Sequence, residues 1–131
     1  MKSPLVRGLK SVVFTSNKPD ETARFYREVL SVPLEKEDHR GAKEHWACAF
    51  DGLHFAVHHA DGFWLGDLPK DSRGERTYLA FTIEDLAAFL EHLKRQNVPV
   101  ESEFEIGPMK FVTIRDPDGR PVSCGTPWTG G

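Results

Sequence analysis

A chain of 131 residues, 39% hydrophobic and 28% charged, has the size and make-up of one globular domain. A net charge of −3 offers no basic stripe for nucleic acid, and no stretch approaches the ~20 consecutive apolar residues that a membrane helix needs. The first residues hold no apolar leader segment and the two cysteines, Cys48 and Cys124, are too few for a disulfide framework, so the expected compartment is the cytoplasm and the expected thiols are buried and reduced.

In chain order, Leu9 to Thr15 reads as a strand with Val12 and Phe14 on one face and Ser11, Val13 and Thr15 on the other. Pro19 to Leu30 predicts a helix, since Pro19 suits a first helical position, Asp20 and Glu21 complement the dipole, and Phe25, Tyr26, Val29 and Leu30 form an apolar stripe. Val32-Pro33-Leu34 breaks it and leads to an edge-like strand, Glu35 to Asp38, then a polar turn over residues 39–45. A hairpin follows from Trp46 to Val57 around Asp51-Gly52. Residues 60–76 form a glycine-rich connector whose Phe63, Trp64, Leu65 and Leu68 either pin it to the domain or serve as a lid or subunit contact.

The second half repeats the first. Thr77 to Thr82 is a strand, and Thr82 with Asp85 makes a capping-box-like start to a helix with Leu86, Phe89, Leu90 and Leu93 on one face, closed by Asn97-Val98-Pro99. Glu101, Glu103 and Glu105 could suggest acid/base or metal chemistry, but a charged edge strand that resists intermolecular pairing is the favoured reading. The clearest hairpin comes last: Phe111 to Arg115 alternates, Asp116-Pro117-Asp118-Gly119 supplies the turn, and Val122 to Cys124 returns.

Matching Phe14-Thr15 to Phe81-Thr82, Val32-Pro33 to Val98-Pro99 and Asp51-Gly52 to Asp118-Gly119 yields two βαβββ modules, about 8–59 and 77–128, in a single domain of 1–131 with an α+β fold. Phe25-Tyr26-x-x-Val29-Leu30, Leu79-Ala80-Phe81 before Ile83-Glu84-Asp85-Leu86, and Arg115-Asp116-Pro117-Asp118-Gly119, in this order, make the chain resemble the vicinal oxygen chelate superfamily. That superfamily includes glyoxalase I, extradiol dioxygenases and the bleomycin- and fosfomycin-resistance proteins. The resemblance implies tandem modules whose mixed sheets curl into a cup, often completed by dimerisation, so a homodimer is expected. It also implies metal ligands, in metal-dependent members, on the inner faces of the first and fourth strands of each module. The matching positions are Ser11, Ala56, Tyr78 and Ser123, none of them a usual ligand for a divalent ion.

That mismatch survives a slip in alignment, because residues 1–19, 77–83 and 119–131 contain no His, Asp or Glu. His54 and His58 share a face of the remaining strand, but four strand residues span roughly 13 Å, too far for both to grip one ion. The expectation is therefore no metal and no cofactor. The cup wall is expected to be aromatic and basic, with Trp46, Cys48 and Phe50 beside His54, Ala56 and His58, then Tyr78, then Phe111, Thr113 and Arg115, then Ser123. Trp46, His54, His58, Tyr78, Phe111, Arg115 and Ser123 are the candidate ligand contacts, suited to a flat, partly apolar molecule with an anionic or hydrogen-bonding end. Each has a structural alternative: Trp46 and Phe111 as core, Arg115 paired with Asp116 or Asp118, His54 as a hydrogen-bonded structural histidine. Two functions stay open: a metal-free small-molecule-binding protein, or a glyoxalase- or dioxygenase-like enzyme, a lyase or oxidoreductase, with a non-standard or partner-supplied site, a metal-independent form of which would use His54 or His58 as general base.

Overall fold

The alternating stretches of sequence become strands, and the two amphipathic stretches become helices. The computed structural model describes residues 5–6, 8–37, 45–60 and 78–127. In order these form β1 (Ser11–Ser16), α1 (Pro19–Glu28), β2 (Glu35–Glu37), β3 (His45–Phe50), β4 (Leu53–His59), β5 (Leu79–Thr82), α2 (Leu86–Arg95), β6 (Ser102–Ile106), β7 (Met109–Arg115) and β8 (Pro121–Gly125). The connector expected over 60–76 and most of the turn expected over 39–45 lie outside the described residues.

Each half builds a curved four-stranded mixed sheet with one helix, in the orders β1-β4-β3-β2 and β5-β8-β7-β6. The first strand of each lies parallel to the fourth, and the remaining pairs are antiparallel. The chain is thus an α+β fold of two tandem βαβββ modules. The charged segments at Glu35–Glu37 and Ser102–Ile106 are edge strands, where charge discourages pairing with another chain.

Local chemistry sets the helix ends. Pro19 opens α1 and Asp20 and Glu21 occupy its first turn. Ser31 and Asn97 stop the two helices in the left-handed region, at φ 60° and 58°. Asp85, rather than Thr82, caps α2: its carboxylate accepts from the Ala88 N–H at 3.0 Å while Thr82 remains in the strand. In the Asp51-Gly52 turn both residues have positive φ, 51° and 77°, matching the twist of the strands it joins.

One face of each sheet turns to a shared core. Tyr26 of α1 is wholly buried, its ring centroid 5.4 Å from that of Phe14, 5.5 Å from Phe55 and 6.5 Å from Phe81, so a single side chain touches both modules. Val57, Val112, Ile114, Val122 and Cys124 fill the same core, and Leu93 of α2 joins them.

A polar network closes one junction between the modules. The link from Asp116 to Arg120 runs from the end of β7 to the start of β8. Asp116 Oδ1 accepts the backbone N–H groups of Asp118 and Arg120, both at 2.9 Å. Its Oδ2 accepts the Tyr26 hydroxyl at 2.8 Å. Arg120 Nη1 donates to Asp116 at 3.1 Å and to Asp118 at 2.8 Å, while its Nη2 donates to the Thr15 carbonyl. The guanidinium lies 4.8 Å from the centroid of the Phe14 ring, and Thr22 Oγ1 donates to Asp118 at 3.0 Å. Burial, reinforced by the negative charge of Asp116, pushes the Tyr26 phenol well above its ordinary pKa, so the hydroxyl stays a donor.

Removing one partner from a buried pair strands the other's charge. Arg120→Ala should therefore lower the unfolding free energy by about 3–5 kcal/mol in urea titrations. Gly119→Val should also destabilise the protein, by a different route. A Cβ at Gly119 meets nothing within 4 Å, but φ is +86°. The loss is conformational, about 1–2 kcal/mol, and equal stability of this variant would contradict the turn geometry.

Candidate functional site

The face of each sheet opposite the core carries no helix among the described residues. On the first module it is crossed by a polar row: Glu37 pairs with His45 in the β2–β3 register, and Thr15 with His58 in the β1–β4 register. The imidazoles of His45 and His58 stack with centroids 4.2 Å apart and planes 8° from parallel. His45 is buried, and its Nε2 lies 3.1 Å from Glu37 Oε2; a carboxylate accepts, so His45 donates from Nε2. Beyond a middle row of Val13, Ala56 and Ala47 comes His54, exposed beside Ser11 and Ala49.

On the second module the same face is aromatic. Phe104 and Phe111 stack at 4.9 Å, with planes 8° apart. Phe111 can lie flat because its partner in β8 is Gly125, where a Cβ would stand 2.6 Å from the ring. One step along β8, between Ala80 of β5 and Thr113 of β7, sits Ser123. The residue is 4% exposed, and its Oγ is buried with no hydrogen-bond partner among the described residues. A buried hydroxyl left unpaired costs about 1–3 kcal/mol, which makes this atom the one most in need of a partner. Tyr78, just before β5, is 62% exposed.

One of the expected contacts is placed differently, and another is already engaged. Trp46 pairs with Val57, and Phe50 opposes Leu53, because the intervening turn holds just two residues. Trp46, Cys48 and Phe50 therefore share the core-facing side with Phe55 and Val57, on the opposite face from His54, Ala56 and His58. There the Trp46 indole donates to Asp20 at 2.8 Å and lies under the Arg27 guanidinium, 5.4 Å away. Arg115 is committed as well, though not to Asp116 or Asp118. Its guanidinium grips Glu101 through Nε at 2.5 Å and Nη2 at 2.9 Å, and donates from Nη1 to the Gly119 carbonyl at 2.9 Å. The hydrogen bond from Arg115 holds the Glu101 carboxyl below its usual range. His54, His58, Tyr78, Phe111 and Ser123 all belong to strands or strand ends on the helix-free faces.

These faces do not fit a divalent metal. In β1, β4, β5 and β8 the helix-free side offers Ser11, Val13 and Thr15; His54, Ala56 and His58; Ala80 and Thr82; Pro121, Ser123 and Gly125. Imidazole is the sole strong donor, and it comes from one strand. His45 and His58 cannot substitute as a chelating pair, since lone pairs lie in the ring planes and parallel rings do not aim them at one point. Among the described residues no three His, Cys, Asp or Glu side chains are grouped to hold a metal ion. Nor is a thiolate at hand: burial and the nearby Glu35 raise the Cys48 pKa, and burial pushes Cys124 up to about 12.

A family model, the Glyoxalase/Bleomycin resistance protein/Dioxygenase superfamily, matches residues 8–123. The chain belongs to that superfamily. An uncharacterized protein of Escherichia coli (strain K12), YaeR, is 29% identical over 106 residues, covering 75% of this chain and 79% of YaeR. TnmS3, an antibiotic binding protein from Streptomyces sp. CB03234, superposes with a TM-score of 0.72 at 15% identity, over 96% of this chain and 100% of TnmS3. The fosfomycin resistance protein FosX from Listeria monocytogenes gives 0.71 at 14% identity, over 95% and 96% of the two chains. At such identities the two structures speak for the fold. No helix among the described residues is long and apolar enough to cross a membrane.

Sequence reasoning passed over four contributors to these faces: Glu37, His45, Phe104 and Gly125. Phe104 and Gly125 were open to detection, since Phe104 interrupts an acidic strand and Gly125 follows a return strand. Because Ser123 Oγ has no partner among the described residues, Ser123→Ala should raise the stability of the ligand-free protein by about 1 kcal/mol in urea unfolding; a loss of stability would mean that the hydroxyl is already satisfied.

Proposed function

We propose that this protein is a small-molecule-binding member of its superfamily that works without a divalent metal, its ligand lying flat on the Phe104–Phe111 shelf and hydrogen-bonding Ser123 Oγ. The orphaned hydroxyl beside a level aromatic surface carries the reading, because a ligand group there would repair the unpaired atom. Tyr78 and Thr113 border the same patch, and Arg115 forms its rim through the Glu101 pair. His54 and His58 line the corresponding face of the other module. That TnmS3 is an antibiotic binding protein is in keeping with a binding role on this fold. The donor set, with no imidazole, carboxylate or thiolate on the helix-free side of β1, β5 or β8, supports metal independence.

The protein acts as a homodimer in the cytoplasm, each copy covering part of the other's helix-free face. Tyr78, Phe104 and Ile106, the last 54% exposed, are large apolar side chains on or beside that face, which supports such cover. A second reading, a metal-independent lyase or oxidoreductase, is favoured by the Glu37–His45–His58 row. There a carboxylate orients one imidazole while the stacked neighbour can take a proton from a bound substrate.

Elemental analysis of purified protein should find no stoichiometric zinc, nickel, iron or manganese. A thermal-shift screen of flat aromatic acids and amides should give stabilising hits that disappear in Phe111→Ala. His54→Ala should leave stability within about 0.5 kcal/mol. A stoichiometric metal whose chelation abolishes a measurable turnover would overturn the binding reading.

A further inference from the structure

The tandem repeat has two module junctions, and they are finished in different ways. One is the polar network around Arg120. The other is an open cleft of about 1050 Å³ between the C-terminal end of α1, the β3–β4 turn, β5 and the start of α2.

The strand registers say which residues correspond. Phe14 sits beside Val57 and Phe81 beside Cys124, so Thr15 matches Thr82, Ser16 matches Ile83 and Arg120 matches Leu53. Val57 pairs with Trp46 and Cys124 with Val112, so Asp116 matches Phe50. Thr22 and Phe89 are each the fourth residue of their helix. Asp118 and Asp51 each precede a turn glycine of positive φ, Gly119 and Gly52. The counterparts Phe81, Thr82, Ile83, Phe89, Phe50, Asp51 and Leu53 all line the cleft. It is therefore the same junction with its polar filling replaced.

What remains and what is gone can be read residue by residue. In the closed junction a guanidinium lies over the Phe14 ring, binds the carboxylate of Asp118 and donates to the carbonyl of Thr15. The open junction keeps the ring in Phe81, the carboxylate in Asp51 and the carbonyl in Thr82. The Ile83 N–H reaches the Gly125 carbonyl on β8, so the backbone of Thr82, one residue earlier, points the other way, to the free edge of β5. The cation is missing, because Leu53 stands where Arg120 would. Glu84 and Asp85 add two more carboxylates to a lining that holds no Lys or Arg among the described residues, and Phe50, Phe55 and Phe89 add apolar area.

We propose that this cleft is a second binding site, distinct from the helix-free faces, for an organic cation: a guanidinium or ammonium group on an aromatic or aliphatic body. The cation takes the place over Phe81 and beside Asp51 that Arg120 takes over Phe14 and beside Asp118, and the body lies in the open cleft against Phe50, Phe55 and Phe89.

Calorimetry with 2-naphthylmethylguanidinium, beside 2-naphthylmethanol and 2-naphthylacetate, tests this. The guanidinium should bind selectively. Asp51→Asn, whose side chain tolerates the same positive φ, should weaken it about tenfold and leave any binding of the alcohol unchanged. Ala88→Trp, from an exposed helical position on the cleft wall, should block it while the fold persists. Leu53→Arg, which restores the cation within the chain, should abolish probe binding and raise the melting temperature. Equal binding of all three probes, no binding of the guanidinium at millimolar concentration, or unchanged affinity in both Asp51→Asn and Ala88→Trp would overturn the proposal. Loss of binding in Ser123→Ala with Ala88→Trp unaffected would place the probe on the helix-free face, and would equally overturn it.

Discussion

The hydrogen-bonded ion cluster of Arg120 with Asp116 and Asp118 is the constraint on which the rest of the arrangement depends. A guanidinium that is 12% exposed beside a fully buried carboxylate is tolerable only when donors and acceptors are matched, and here Thr15 and Tyr26 of the other module and the turn's own Asp118 and backbone N–H groups supply the matches. Burial opposes the charge on Arg120, but the two aspartates outweigh it and raise its pKa above the ordinary value. The cluster fixes β1 and α1 of one module against the β7–β8 link of the other. It thereby sets where both helix-free faces and the open cleft lie.

Much of this was legible in the sequence, because strands and helices write their buried faces as periodicity. The duplication was visible in paired dipeptides, and the edge strands in their alternating charge. The Asp116–Gly119 stretch was legible as a turn but not as a clamp, since a turn propensity is local and the partners Tyr26, Thr22 and Thr15 lie some ninety or more residues away. The place of Trp46 was misjudged for a simpler reason: a two-residue turn pairs Phe50 with Leu53 and so puts Trp46 level with Val57, a parity that alternation within one strand does not reveal. Arg115 had two acidic neighbours in sequence, yet strand pairing gave it Glu101, the residue just ahead of the neighbouring edge strand.

The candidate faces illustrate how one fold hosts different chemistry. Their strands supply positions, and the residues at those positions decide what can be held. Here the first module offers a carboxylate–imidazole–imidazole row, and the second offers stacked rings and an unpaired hydroxyl. The two helix-free faces are thus chemically unlike although their backbones are matched. The same divergence separates the polar junction from the apolar cleft.

Gly125 is the least conspicuous residue of the candidate site, and the flatness of the aromatic shelf comes from it. A single methyl group at that position would collide with Phe111 and force the ring upright, and Phe104, parallel to it, would lose its neighbour. The shape of this surface is therefore written in an atom that is missing: other residues could continue the strand, but glycine alone leaves the floor level.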